Sequence, residues 1–287
     1  MTTRSRVAVV TGAGSGLGAA LAGEFARSGC GVALADIDLA NAEKVTEGLA
    51  TTGARTRAYR VDVGSTESLE ALAAAVAADF GACHVLCANV GVQQFGTIDS
   101  LREEDWRWIY DVNVHGSVGT VRAFLPLLRA SEGQRSVLFT ASTSAVYPAR
   151  RLVAYTSTKY AILGIAETLR LELGEEGIGV SVMLPGPMAT THLQSSAAAK
   201  PDGLDTPVFV AEQIAVVSED TAEDTADGAD AMISPEYAAR NVVADLAANE
   251  PYIVSHFVHA GRARTRFAEI LDAFERAKTS ETPRNEP

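Results

Sequence analysis

Cysteine is scarce here: Cys30, Cys83 and Cys87 are the only three in 287 residues. An odd count without regular spacing excludes a disulfide framework. No histidine is spaced to complete a zinc site with Cys83 and Cys87, so no metal is expected. No run of about 18 apolar residues exists, which excludes a membrane-spanning helix. Basic residues are in deficit, 24 against 36 acidic ones, for a net charge of −12. A nucleic-acid backbone would be repelled, so nucleic acid is excluded as a partner. The first six residues are polar and lead directly into an apolar run, unlike a secretory leader, so a reducing, cytoplasmic location is expected. What is abundant is apolar content, 47% of the chain. A chain of this length can bury a large core without staples.

The apolar residues alternate between two patterns. Short continuous runs at 6–11, 31–35, 57–61, 84–88, 136–141, 179–184 and 252–255 read as buried strands. Segments with helical spacing at 17–28, 39–52, 68–80, 103–129, 154–176 and 264–277 read as helices, with a further helix starting at Pro235. Buried strands alternating with helices predict an α/β fold. The expected architecture is a doubly wound parallel sheet of Rossmann type, with helices on both faces. One domain is expected over 1–287. The alternation stops after Leu184 at Pro185-Gly186-Pro187, and residues 188–234 read as a lid inserted over a substrate site. Within it, 219–222 repeats as 223–226, an acidic segment that lacks the calcium-loop pattern and reads as a solvated face. Residues 262–287 are read as a C-terminal helix and tail.

Two motifs carry chemistry on their own terms. The first strand enters Thr11-Gly12-Ala13-Gly14-Ser15-Gly16-Leu17-Gly18 and then a helix. Glycines allow a tight turn and let a pyrophosphate approach the backbone, and the helix N-terminus offers it free N–H groups. Without a Gly-Lys-Ser/Thr, a nucleoside-triphosphate loop is excluded. Asp36, about 20 residues on, ends the second strand. A carboxylate there accepts from both hydroxyls of an adenosine ribose and repels a 2′-phosphate. Ile37 follows it and the glycine loop has no cation, so NAD is favoured over NADP. Asp38 better fits the plain role of helix N-cap. The second motif is Tyr155 with Lys159, four residues apart on one helical face. An adjacent ammonium favours the phenolate, which suits a tyrosine to proton transfer.

With these residues in place, the chain resembles the short-chain dehydrogenases/reductases, in their compact single-domain branch. That branch is marked by Thr-Gly-x-x-x-Gly-x-Gly, present here at 11–18, and the resemblance covers about residues 5–190. It implies a catalytic set of Asn113, Ser142, Tyr155 and Lys159. Tyr155 would be the acid or base, Ser142 would hold the substrate oxygen, Lys159 would bind the nicotinamide ribose, and Asn113 would hold a water leading from Lys159 to solvent. It also implies that NAD lies along Gly12, Ser15, Gly16, Leu17, Gly18, Asp36 and Ile37. Asp62 and Val63 would meet the adenine. Asn89, Val90 and Gly91 stand where the family has Asn-Asn-Ala-Gly, and Val90 replaces its alanine. Pro185, Gly186, Met188 and Thr190 would reach the nicotinamide side. The Asp-Gly-Gly common near the C-terminus of relatives is absent, with 251–256 in its place. The resemblance further implies a homodimer or homotetramer.

The substrate side should come from loops after three strands, through Gln93, Phe95, Thr143, Tyr147, Met188 and His192. These are mostly apolar, which fits a medium-sized, fairly hydrophobic secondary alcohol or its ketone, with hydride transfer to or from NAD. Trp106 and Trp108 read as core or interface, and Arg150 and Arg151 as a solvated pair. The alternatives are a 3-oxoacyl carrier-protein reductase on the same scaffold, a catalytically silent NAD-binding sensor, and an interaction module using the acidic lid.

Overall fold

The computed structural model describes residues 6–204, 206–209 and 232–280. The acidic repeat, much of the lid and the last seven residues lie outside them. Seven strands form one parallel sheet: β1 (Val7–Thr11), β2 (Gly31–Asp36), β3 (Thr56–Arg60), β4 (Val85–Ala88), β5 (Arg135–Thr140), β6 (Ile178–Leu184) and β7 (Tyr252–Val254). Their order is β3-β2-β1-β4-β5-β6-β7. The chain winds outward from β1 to β3, then crosses back to β4 and winds the other way. The order therefore reverses between β1 and β4, and in such sheets the crevice for a ligand opens at the carboxyl ends of the strands there.

The helices are α1 (Gly16–Arg27), α2 (Leu39–Gly48), α3 (Thr66–Phe80), α4 (Glu103–Tyr110), α5 (Gly116–Ala130), α6 (Val153–Gly174), α7 (His192–Ala198), α8 (Pro235–Ala239), α9 (Val242–Ala247) and α10 (Ala260–Ser280). Strand side chains alternate between faces, and this chain shows it cleanly. Val9, Ala33 and Leu86 face α3, α5 and α6 through Leu72, Phe124 and Ile162. Ala8, Val10, Val32 and Leu34 face α1, α8 and α9 through Leu21, Phe25, Ala239 and Val242. Cys83 and Cys87 are buried without partners in a disulfide, as small core residues. Among the described residues no helix is long and apolar enough to cross a membrane, and no cluster could hold a metal.

Local signals explain the helix starts. Asp38 accepts from Asn41 N–H and caps α2, as expected. Ser65 caps α3, and Ser234 caps α8 with Pro235 in its first turn. The long helix expected over 103–129 is divided: α4 and α5 are joined by a π-helical turn, Asp111–His115. Such turns concentrate at functional sites. The inserted segment is closed at its base. Ala189 N–H donates to Ile233 O, and Ile233 N–H donates to Pro187 O. The chain thus leaves the body at Met188 and rejoins it at Ile233.

Candidate active site

Six loops meet above the carboxyl edge of the sheet, after β1 to β6. Together with α4 and α7 they enclose one continuous cavity of about 1020 Å³. The first loop needs its glycines. Gly12 and Gly16 have φ of +68° and +51°, a region that disfavours side chains. A Cβ on Gly18 would lie 1.9 Å from Gly12 O. Only hydrogen at that position lets α1 begin beneath the loop. Gly12, Ser15, Gly16, Leu17 and Gly18 all line the cavity.

Asp36 stands at the far end of this half. Its Oδ2 accepts from Gly14 N–H at 2.8 Å and its Oδ1 from Asp38 N–H at 2.9 Å. It therefore shapes the glycine loop as well as facing the cavity beside the half-exposed Ile37. Asp62 accepts from Gly64 N–H, and Val63 is buried against Gly116. Asn89 joins three strands: its N–H donates to Thr11 Oγ1, its Nδ2 to Thr11 O, and its Oδ1 accepts from Thr140. Val90 and Gly91 continue the wall, and Gly91 lies so near Lys159 that a Cβ would sit 3.1 Å from Nζ.

Ser142, Tyr155 and Lys159 converge in the middle of the cavity, all nearly buried. The loop after β5 carries Ser142, and the first two turns of α6 carry the other two. Tyr155 and Ser142 are hydrogen-bonded. Lys159 Nζ donates to Thr140 O at 3.1 Å and lies 5.5 Å from the centre of the Tyr155 ring. Burial pushes the Tyr155 phenol up to about 12, against a smaller opposite effect of the Ser142 bond. Burial likewise pushes Lys159 down to about 8. The spacing predicts a phenol lowered by the ammonium; in this structure removal from water dominates and the opposing contribution comes from Ser142.

Asn113 sits in the π-helical turn, behind the cavity wall. Its Oδ1 accepts from Val92 N–H at 2.7 Å, and its Nδ2 donates to Val92 O and to Thr158 Oγ1. Both amide hydrogens are spent, so its side chain braces Val92, in the loop after β4, against α6.

Gln93, Thr143, Tyr147, Met188 and His192 line the cavity, as do Pro185, Gly186 and Thr190. Phe95 does not. It is 4% exposed, packs with Leu101, Trp108, Ile109 and Leu152, and donates its N–H to Val208 O. Residues 91–95 form no strand, so nothing keeps Phe95 on the side of Gln93, and it turns into a small core with Trp108, Leu152 and Val208. Arg150 and Arg151 are exposed and off the cavity wall. His192 is pushed down to about 4 by burial and by Lys159, so its imidazole is neutral at ordinary pH.

One face of α4 was missed as a cavity wall. Glu104, Arg107, Trp108 and Asp111 line it. Helical spacing places them together, and that phase was the available signal. The segment after Met188 adds Leu193, Ser196 and Leu204. It is held by a buried ion pair, Lys200 Nζ to Asp105 Oδ1 at 2.9 Å, and Lys200 also donates to Gln94 Oε1 and Thr206 O. Burial pushes the Asp105 carboxyl up, but Lys200 and Arg102 N–H outweigh it and hold it below the ordinary range.

The family model described as short chain dehydrogenase matches residues 6–201, more than half of the chain. The chain is a short-chain dehydrogenase/reductase. Its expected architecture is the observed one, and it is an oxidoreductase of that family. Among its relatives is 1-deoxy-11-beta-hydroxypentalenate dehydrogenase of Streptomyces exfoliatus, 35% identical over 212 residues, which are 72% of this chain and 76% of the relative. Cyclohexanol dehydrogenase of Acinetobacter sp. (strain SE19) is 29% identical over 189 residues, 65% of this chain and 74% of the relative. A crystal structure of a short-chain dehydrogenase/reductase from Burkholderia phymatum in complex with NAD superposes with a TM-score of 0.83 at 26% identity. That match covers 100% of this chain and 99% of the other.

Proposed function

We propose that this short-chain dehydrogenase/reductase interconverts a medium-sized, fairly hydrophobic secondary alcohol and its ketone, using NAD(H). The observation that carries the reading is the continuity of the cavity. It runs without a break from Asp36 and the glycine loop to Ser142, Tyr155 and Lys159, then on to apolar walls at Trp108, Leu152, Leu193 and Leu204. The glycine cradle suits a dinucleotide, since Gly12, Gly16 and Gly18 leave backbone where side chains would stand. Asp36 supports NAD over NADP, because a second negative charge beside its carboxylate would be repelled.

The nicotinamide, when bound, supplies the hydride acceptor or donor. The chain supplies position and the proton. In the oxidation direction the Tyr155 phenolate takes the proton of the substrate hydroxyl, and Ser142 holds the same oxygen. In reduction the Tyr155 phenol gives that proton back. Lys159 favours the phenolate electrostatically once charged, and Thr140 O fixes where its ammonium sits. Asn113 keeps Val92 in place against α6. His192, neutral, offers a hydrogen-bonding group in the substrate half. Glu104, Asp111 and Asp202 outnumber Arg107 on this part of the wall, which disfavours an anionic substrate.

Two relatives named for alcohol oxidation, cyclohexanol and hydroxypentalenate dehydrogenases, support a ring-bearing hydrophobic substrate. We also propose a homodimer or homotetramer. Its support is α10, which exposes Phe267, Leu271 and Phe274 along one stripe; apolar patches of this kind mark interaction sites.

The test is a fluorescence titration with NADH and NADPH, then absorbance of reduced nicotinamide over a panel of bulky secondary alcohols. Tight NADH binding with turnover is expected. Binding without turnover on any alcohol or ketone, together with no effect of Tyr155→Phe, would return the chain to the sensor reading. Light scattering would show a multiple of 30.1 kDa.

A further inference from the structure

The segment after β7 replaces the Asp-Gly-Gly of relatives and lies off the cavity wall, yet it touches the loop after β6 closely. Gly186 N–H donates to His256 Nδ1 at 3.0 Å, and the Ser255 hydroxyl lies 2.7 Å from the same nitrogen. His256 Nε2 is 2.8 Å from Pro187 O. An amide N–H can only donate and a carbonyl can only accept. These partners fix the ring as the neutral tautomer with its hydrogen on Nε2. The fit leaves no slack: a Cβ on Gly186 would fall 2.8 Å from His256 Cγ and 2.9 Å from His259 Nε2. His256 is 4% exposed.

We propose that His256 is a positioning residue, a neutral clamp that holds the Pro185–Pro187 loop and thereby sets Met188 and Thr190 at the dinucleotide side of the cavity. The clamp reaches the substrate side as well. Thr143 N–H donates to Pro185 O at 2.9 Å, so the loop that carries Ser142 rests on the same segment. The His259 ring stands 5.7 Å from that of His256 and 5.6 Å from that of Tyr147, which lines the cavity. Burial lowers the basicity of His256, with lesser contributions from His259 and Arg240, and keeps the ring in the form the clamp requires. No other part of the machinery needs an imidazole here. A core filler of equal size would pack the space without holding Gly186 and Pro187.

This inference rests on the reading of the cavity as a dinucleotide site, and its test separates the two. The full-length protein is compared with His256→Leu, His256→Gln and His256→Asn by NADH titration and by steady-state kinetics in both substrates. Asparagine places an acceptor where Nδ1 stands. Glutamine keeps a donor for Pro187 O and lacks the acceptor for Gly186. Leucine has neither and still fills the space. The expected result is a rise of about tenfold in the NADH dissociation constant and KM for Leu and Gln. Their kcat at saturating dinucleotide should fall less than threefold, and Asn should return binding to within about threefold of the unmodified protein. Circular dichroism confirms folding of each, and Gln against Asn decides the matter should Leu not fold. Unmodified protein that binds neither NADH nor NADPH overturns the cavity reading and this inference with it. Normal binding in the unmodified protein with no change in Leu or Gln overturns the clamp alone. Loss in Asn as large as in Leu also overturns it, by showing that an acceptor at the Nδ1 position holds nothing.

Discussion

Lys159 holds its ammonium 5.5 Å from the centre of the Tyr155 ring while donating to Thr140 O. The pair is buried, and burial opposes the charged form of both members. The site therefore trades stability for chemistry, and the trade is measurable. Lys159→Met removes a buried charge and leaves comparable volume. The shift from 10.5 to about 8 corresponds to about 3 kcal/mol of cost at neutral pH. Loss of the bond to Thr140 O takes back about 1–2 kcal/mol of that. The variant should be about 1–2 kcal/mol more stable than the parent at pH 7 in urea unfolding, and inactive. For the parent, the unfolded chain holds the lysine proton up to 10.5 and the folded chain loses it near 8. Parent stability thus rises with pH across that window, and the advantage of the variant shrinks there. A variant less stable at pH 7 would show that the ammonium is better solvated than its surroundings indicate.

The same pair sets a pH profile. Oxidation needs the phenolate, and Tyr155 is pushed up to about 12 in the free protein. The kcat/KM for alcohol oxidation should climb steeply between about pH 6 and 8, since it reports the free enzyme. The climb should weaken near 8, where Lys159 gives up its charge. Ketone reduction uses the phenol and should stay level over the same range. A flat oxidation profile would take the proton-accepting role away from Tyr155.

Asp36 should govern the choice of nucleotide. Asp36→Ala removes the acceptor for the ribose hydroxyls and also frees Gly14 N–H and Asp38 N–H. NADH should bind about 10-fold to 100-fold more weakly, through two or so lost charge-assisted hydrogen bonds. NADPH should lose less or gain, because the repulsion goes as well. Isothermal titration of both nucleotides decides it, and an unchanged ratio would contradict the assignment.

How much of this was legible in the sequence depended on how local the signal was. Strands such as Val7–Thr11 and helices such as α1 are written as short-range apolar patterns, and their alternation points to a parallel sheet without giving its strand order. The glycine loop and the Tyr155–Lys159 spacing are equally local. Ser142, Thr143 and Pro185 are joined only by the fold, and a resemblance was needed to bring the first of them to Tyr155. Phe95 went astray because a loop residue's facing is decided by Val208, more than a hundred positions on. The π-helical turn at Asp111–His115 leaves an unbroken helical pattern and could not be read. The balance of burial against charge at Tyr155 is likewise a property of three dimensions.

Lys200 and Asp105 make the stability of the segment after Met188 a question of one pair. Both are buried, with side-chain exposures of 7% and 0%. Lys200→Ala leaves the carboxylate with only the half-exposed Arg102 guanidinium at 3.8 Å and should cost about 3 kcal/mol. Adding Asp105→Asn should restore part of that, since no charge is then stranded. Urea unfolding of the two singles and the double measures the coupling, and additive losses would show that the pair does not act as one.

The bridge between Met188 and Ile233 has a consequence for how this enzyme can diversify. Because the excursion starts and ends at one point, its length can change without moving a strand. Each doubling of such a loop costs only about 0.6 kcal/mol in closure entropy. The excursion is in effect an exchangeable cassette seated on a fixed frame. Grafting another relative's segment between positions 188 and 233, with a lysine kept opposite Asp105, should alter which substrates are accepted while Ser142, Tyr155 and Lys159 stay where they are, so new substrate ranges can be reached by recombination at a single point rather than by rebuilding the catalytic core.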